Sequence, residues 1–232
     1  MRNSKLLFVL FLFVFSCATK KITNTACWVN QDKKNNKYSN IYVLGMLKTN
    51  YNNIIVEGEM ASMAKQRGIE TTRNYDVQPV TEVNAEMRKD LALMKIKQYN
   101  CDAICTIGVK NINSESRYVG GSTLSVSGYM PYGSYGGYYN QFPSYYTDYY
   151  GHTGAGGYYS SGTVELNPGH VETDKTYFVE CNLFDSKSYE LLFSIQSEAF
   201  NPQDIEKVSK EYCAAIFKTL EKEGVIKPKA VK

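Results

Sequence analysis

Two apolar runs decide the fold: Ile41-Tyr-Val-Leu-Gly-Met-Leu47 and Asp102-Ala-Ile-Cys-Thr-Ile-Gly-Val109. Both are short and nearly unbroken, the pattern of strands buried on both faces of a parallel sheet. Between them, Val56, Met60 and Met63 recur at helical spacing within residues 53–67. Lys65, Arg67 and Gly68 then supply a helix stop: cations for the last turn and a residue at ease in the left-handed region. Residues 69–77 read as a second strand, ended by Pro79. Residues 82–99 read as a second helix, with Val83, Met87, Leu91 and Met94 on one face and Asn100 as its stop. The order is β-α-β-α-β, whose parallel crossovers are expected to be right-handed.

Downstream the period changes. Tyr177, Val179, Cys181 and Leu183 alternate with more polar positions, Asp185-Ser-Lys-Ser188 makes a turn, and Leu191, Phe193 and Ile195 alternate again against Ser194, Gln196 and Glu198. This is an antiparallel hairpin with one buried face. Asn201-Pro202-Gln-Asp204 opens a last helix: Asn as N-cap, Pro in the first position, an acid in the first turn. Its stripe is Ile205, Val208, Tyr212, Ile216 and Leu220, and Gly224 and Pro228 end it. Residues 41–112 and 172–226 hold enough apolar side chains for one core. The expected class is α/β with α+β character, a single three-layer-like domain over 41–226 followed by a tail, 227–232.

Residues 118–171 interrupt that domain. They hold 12 of the 20 Tyr and 12 of the 17 Gly, and no Lys or Arg. Gly and Pro break every period from about 128 to 160, so the segment is expected to offer no helix and no long strand to the sheet. Residues 117–127 and 163–171 can pair as a β-ribbon with the remainder at its tip. The expectation is a mobile insertion. A tyrosine ring joins a flat apolar face to a polar tip, so Tyr138, Tyr139, Tyr145, Tyr146, Tyr149, Tyr150, Tyr158 and Tyr159 are candidate contacts for sugars or protein surfaces.

The N-terminus carries an address. Arg2 and Lys5 precede ten apolar residues, Leu6 to Phe15. A spanning helix needs ~20, so residues 1–16 read as a signal peptide. Its removal takes two cations and no acid, lowering the formal charge from +3 to +1. Near-neutral charge argues against nucleic acid as a partner. Residues 17–40 show lysines without apolar periodicity and read as a flexible tether of about 25 Å r.m.s. span, with Trp28 the candidate for local anchoring.

Catalytic chemistry is sparse. His152 and His170 are the two histidines and have no Cys or His at metal-ligand spacing. No serine elbow or phosphate loop is present. Glu57 and Glu59 lie about 200° apart around a helix, so they do not converge. No catalytic residue, metal or cofactor is assigned, and a non-enzyme is expected. Cys101 and Cys105 would stand about 13 Å apart on one strand, beyond the ~7 Å limit for a disulfide; most of the cysteines read as buried thiols.

Val14-Phe15-Ser16-Cys17 resembles a bacterial lipobox. The resemblance implies cleavage before Cys17, a diacylglycerol thioether on its sulfur and N-acylation, which together anchor the chain to a lipid bilayer. With the element order, Asp102-Ala-Ile-Cys-Thr106, Glu180-Cys-Asn-Leu-Phe-Asp185, Phe193-Ser-Ile-Gln-Ser197 and Asn201-Pro202, the chain resembles a group of bacterial envelope lipoproteins. That group shares the fold of the TolB N-terminal domain, the curli-secretion channel lipoprotein and the lipoprotein activator of penicillin-binding proteins. What the resemblance implies is a non-enzymatic protein-binding or assembly module, with an envelope protein or a second copy as partner. The alternative is a carbohydrate- or peptidoglycan-binding module using the tyrosines. Ala18 stands where inner-membrane retention often places Asp, and no acidic run follows Cys17. The implied location is therefore the outer membrane, on its periplasmic side.

Overall fold

A computed structural model describes residues 22–33, 38–77, 85–118, 141–151, 159–160 and 171–226. Residues 1–16, read as a signal peptide, Cys17, Tyr138, Tyr139, Tyr158, both histidines and residues 227–232 lie outside the described residues. The elements run β1 (Ile22–Val29), β2 (Asn40–Met46), α1 (Asn50–Lys65), β3 (Glu70–Arg73), α2 (Asn74–Val77), α3 (Ala85–Gln98), β4 (Ala103–Tyr118), α4 (Phe142–Gly151), β5 (Tyr159–Ser160), β6 (Val171–Asp185), β7 (Leu191–Phe200) and α5 (Ile205–Lys222). The strands form one mixed sheet in the order β1-β7-β6-β4-β2-β3, with β5 alongside β4. β2 is parallel to β3 and β4, whereas β6, β7 and β1 follow in antiparallel register. The mixed α/β class and the single domain stand as read from the sequence.

Helices cover both faces, making three layers. One face carries α1 and α5, whose Val56, Met60, Ala64, Cys213, Ile216 and Leu220 bury against Val43, Cys105, Leu183, Phe193 and Ile195. The other carries α3 and α4 over Tyr42, Leu44, Met46, Ile104 and Phe184. Thr49 caps α1 by accepting from Asn52 N at 3.2 Å, and Gly68 ends that turn at φ 71°, a left-handed position that suits glycine.

Five expectations are corrected. First, β1 lies inside the stretch read as tether. A bulge between Asn24 and Ala26 shifts the alternation by one residue, so that Ile22, Asn24, Cys27 and Val29 meet Ala199, Ser197, Ile195 and Phe193 on one face of β7. No single period of two runs through that set, so the strand is hidden from pattern reading. Second, β3 stops at Arg73 and the chain turns into α2. Glu57 takes the Tyr75 N–H at 2.9 Å and Asn74 accepts from the Tyr42 hydroxyl at 2.8 Å, which removes these residues from a ladder. Third, α3 buries Ala92 and Ile96, and Met94 faces solvent. Fourth, α5 is capped by Asp204, whose Oδ1 accepts from Glu206 N and Lys207 N. Asn201 is left-handed at φ 42° and accepts from Lys175 N at 2.6 Å, tying the end of β7 to β6. Fifth, the insertion does supply a helix, α4. The ribbon expected over residues 117–127 and 163–171 lies outside the described residues but for its base, where Tyr118 pairs with Val171 at the end of β4 and β6.

Candidate functional site

Beyond the ends of β2 and β3 the chain leaves for opposite faces: from β2 it passes to α1, and from β3 by way of α2 toward α3. Between these two exits lies Glu57, fully buried on α1. One carboxylate oxygen accepts from Gly45 N at 2.8 Å and the other from Tyr75 N at 2.9 Å. Burial raises its pKa to about 7 against the pull of both N–H groups and of the Arg73 guanidinium. Arg73 is itself engaged, Nε and Nη2 each lying 2.7 Å from an Asp76 oxygen. Both oxygens of Glu57 are occupied by backbone, so the group acts as a latch joining α1, β2 and α2. Gly45 marked the place: a Cβ there would stand 2.8 Å from Asn53 Oδ1, so α1 lies hard against β2. The sequence shows only that Glu57 does not converge with Glu59; its burial comes from the fold.

The second place is the open edge. Among the described residues, β1 is the last strand of the sheet and β3 the last on the other side. β3 is four residues, Glu-Thr-Thr-Arg, with a charge at each end. β1 is eight residues, Ile-Thr-Asn-Thr-Ala-Cys-Trp-Val, without a charge or a proline. Asn30 N donates to Leu192 O at 2.9 Å. Hydrogen-bonded residues alternate along an antiparallel ladder, so the backbone groups of Cys27 and Val29 point away from β7. Thr23, Asn24, Thr25, Cys27 and Trp28 are exposed. Partial desolvation, then the Glu223 carboxylate, push the Cys27 thiol up to about 11. The other four cysteines described are buried, with Cys105 Sγ and Cys181 Sγ 3.6 Å apart.

The tyrosines proposed as contacts divide. Tyr145, Tyr146 and Tyr149 are buried, at 0%, 3% and 2% exposure. Phe142 and Tyr145 lie against Phe184 with ring centroids 5.7 and 5.6 Å away. The Tyr149 hydroxyl donates to Met46 O and lies 3.1 Å from both N and O of Val109. Tyr150 rests on Tyr146 at 4.8 Å. Tyr159 pairs through its backbone with Asn111. The rings of Tyr145, Tyr146, Tyr149 and Tyr150 spend their faces on the sheet and on one another. The spacing carried the signal: Phe142 and Tyr146, Tyr145 and Tyr149, and Tyr146 and Tyr150 are each i, i+4.

The hairpin holds a further surprise. Its supposed solvent face is buried under the α4 side, with Thr106, Asn182 and Ser194 in one cross-strand row and Glu180 in the next. Asn182 Nδ2 donates to Glu180, while Thr106 Oγ1 and Asn182 Oδ1 have no hydrogen-bond partner among the described residues. Beneath the other face lies a cavity of about 20 Å³ lined by Ile41, Met60, Cys105 and Phe193, room for about one water.

No protein family and no curated protein matches the sequence. Among solved structures, a single-residue variant of the PelC dodecamer from Paraburkholderia phytofirmans is similar at 12% identity and a TM-score of 0.39, over 84% of this chain and 94% of that one. Lipoprotein GNA1162 from Neisseria meningitidis is similar at 11% identity and a TM-score of 0.34, over 79% of this chain and 99% of that one. The likeness is loose, and neither superposition transfers a function.

Proposed function

We propose that this chain is a non-enzymatic, outer-membrane-anchored lipoprotein that serves as a protein-binding or assembly module of the cell envelope. The observation that carries the reading is the open edge of β1. An exposed strand presents a row of unpaired N–H and C=O groups, and proteins blunt such edges with charge, proline or brevity. β3 is blunted in that way and β1 is not. A long uncharged edge fits a partner that adds a strand, with main-chain hydrogen bonds supplying affinity. Acylation of Cys17 places that edge at a membrane. The alternative, a carbohydrate- or peptidoglycan-binding module, has lost Tyr145, Tyr146 and Tyr149 to the core.

The edge is tested with Cys27→Pro, which removes an outward N–H and spares the ladder to β7, against Cys27→Ser. Crosslinking in intact envelopes should recover a stoichiometric partner or self-assembly with wild type and Cys27→Ser, and lose it with a folded Cys27→Pro. A wild-type protein that is monomeric and partnerless, or a proline variant that assembles as well, refutes the edge as an interface. The anchor is tested with Cys17→Ser, which should move the protein from membranes to the soluble periplasmic fraction. Retention on membranes through a high-salt wash, which screens lysine attraction to headgroups, would remove the lipoprotein reading.

A further inference from the structure

We infer that the β4–β6 ribbon, residues 113–118 with 171–176, is the foot on which the domain stands against the phospholipid headgroups of the bilayer that holds the acyl chains. The inference rests on acylation of Cys17. β1 begins at Ile22, so only residues 18–21 separate the lipidated position from the sheet. Five residue steps, fully extended, span at most about 18 Å. The domain is therefore held close to the bilayer, by the end of the sheet that carries Ile22.

That end is also where the ribbon projects. Ile22 lies in one row with Ala199, Tyr177 and Ile112. β7 ends one row further, at Phe200 opposite Thr176. Beyond it β4 and β6 continue to Tyr118 and Val171, past the end of every other strand among the described residues. Tyr118 is six residues past the row of Ile22, about 20 Å along the strand. The projection thus matches the longest reach of the linker, and a domain standing on its anchor sets the ribbon on the membrane surface.

Two further features agree. The ribbon sequence, with Glu115, Arg117, Glu172, Asp174 and Lys175 among serines and threonines, suits the polar headgroup zone and would be costly in hydrocarbon. Phe200, 52% exposed, stands at the same end, and amphipathic or aromatic rings are favoured at that boundary.

The test uses the full acylated protein in a Cys27→Ser background, labelled with a fluorophore through Thr173→Cys in the ribbon or Lys187→Cys in the far turn. The two sites are separated by about 40 Å of strand, from position 173 to the end of β6 at Asp185. In vesicles of phosphatidylethanolamine and phosphatidylglycerol containing a headgroup-quencher lipid, quenching at position 173 should exceed that at 187 several-fold. Equal quenching, or more at 187, overturns the inference. The mass of the mature protein is measured first. Without acyl additions at Cys17, the lipoprotein reading and the inference fall together; with them and an unquenched ribbon, only the orientation falls.

Discussion

On one face of the sheet, α1 and α5 set Val56, Met60, Ile216 and Leu220 against Val43, Leu183 and Ile195. On the other, α4 sets Phe142, Tyr145, Tyr146 and Tyr149 against Phe184, Ile104 and Met46. The first layer is built from aliphatic residues at regular helical spacing. The second is built from rings that stack edge-on and tilted, with one hydroxyl reaching into the backbone of the sheet. The difference teaches that a tyrosine-rich insertion can be core. Tyr counts as amphipathic in any reading of pattern, yet each ring buries as much area as an aliphatic side chain or more.

The comparison breaks most directly if the insertion is cut away. A mobile insertion, the reading from sequence, could be replaced over residues 128–160 by a short Gly-Ser linker with the core left folded. The structure reverses that expectation. The replacement removes four large side chains, each contributing about 1.5–3 kcal/mol by burial, against a domain stability of about 5–15 kcal/mol. Circular-dichroism melting should show no cooperative transition near that of the wild type. An unchanged melt would mean that α4 is not part of the fold.

A matched pair of substitutions weighs the layers against each other. Phe193 faces α5 and Phe184 faces α4, both at 0% exposure. Phe193→Ala and Phe184→Ala should each cost about 3–5 kcal/mol in urea unfolding. If Phe184→Ala costs under about 1 kcal/mol while Phe193→Ala costs several, the aromatic layer packs loosely and the likeness of the faces fails.

Glu57 gives the two regions different acid behaviour, because it is the buried carboxylate that latches the aliphatic helix α1 to β2 and α2. Its folded pKa, about 7, stands above the ordinary 4.5. The native state therefore binds the proton more tightly than the unfolded chain does. The stabilisation is full below about pH 4.5, declines as pH rises through 7 and is gone above it. At 1.36 kcal/mol per unit the whole effect is about 3 kcal/mol. Glu57→Gln should lower stability at pH 5 and remove this slope, read as the difference between variant and wild-type urea midpoints at pH 5 and pH 8. A difference that does not change with pH would place the titration elsewhere.

Much of this architecture was legible in the residues. β2 and β4 follow from unbroken apolar runs because helices cover both their faces, and α1, the β6–β7 hairpin and α5 follow from periodicity; α3 was legible as an element but not in the face it buries. The features that escaped share a physical cause: a local interaction overrode the pattern. A bulge shifted the alternation in β1, the carboxylate of Glu57 ended β3 early, and the Asn201 side chain was taken by Lys175 N rather than by the helix. In α4, Pro143 sits in the first turn, where a missing N–H costs nothing, so the proline that argued against a helix is compatible with one. Of the candidate site residues, Tyr145, Tyr146 and Tyr149 are buried in the core, while Tyr138, Tyr139 and Tyr158 lie outside the described residues. The edge of β1 was missed along with the strand itself.

The smallest expected effect isolates the one polar joint of the aromatic layer. Tyr149 lies over Gly108, where a Cβ would come within 2.7 Å of its ring, so the glycine is what lets the ring descend onto the sheet. Its hydroxyl reaches the carbonyl of Met46, at the last residue of β2, and accepts from Val109 N, where a bulge interrupts the pairing of β4 with β6. The hydroxyl thus serves backbone groups at the end of β2 and beside the β4 bulge. Tyr149→Phe keeps the ring and removes that service. The cost is the desolvation of the groups left behind, about 1–3 kcal/mol, with little change in packing. Urea unfolding should show the midpoint falling with an unchanged m-value, since the surface exposed on unfolding is the same. Gly108→Ala should cost more than Tyr149→Phe, because it displaces the whole ring. If Tyr149→Phe is neutral while Gly108→Ala is not, the aromatic layer is held by packing alone and the hydroxyl is incidental. If both are neutral, Tyr149 does not occupy the sheet, and the resemblance between the two faces disappears at its most buried contact.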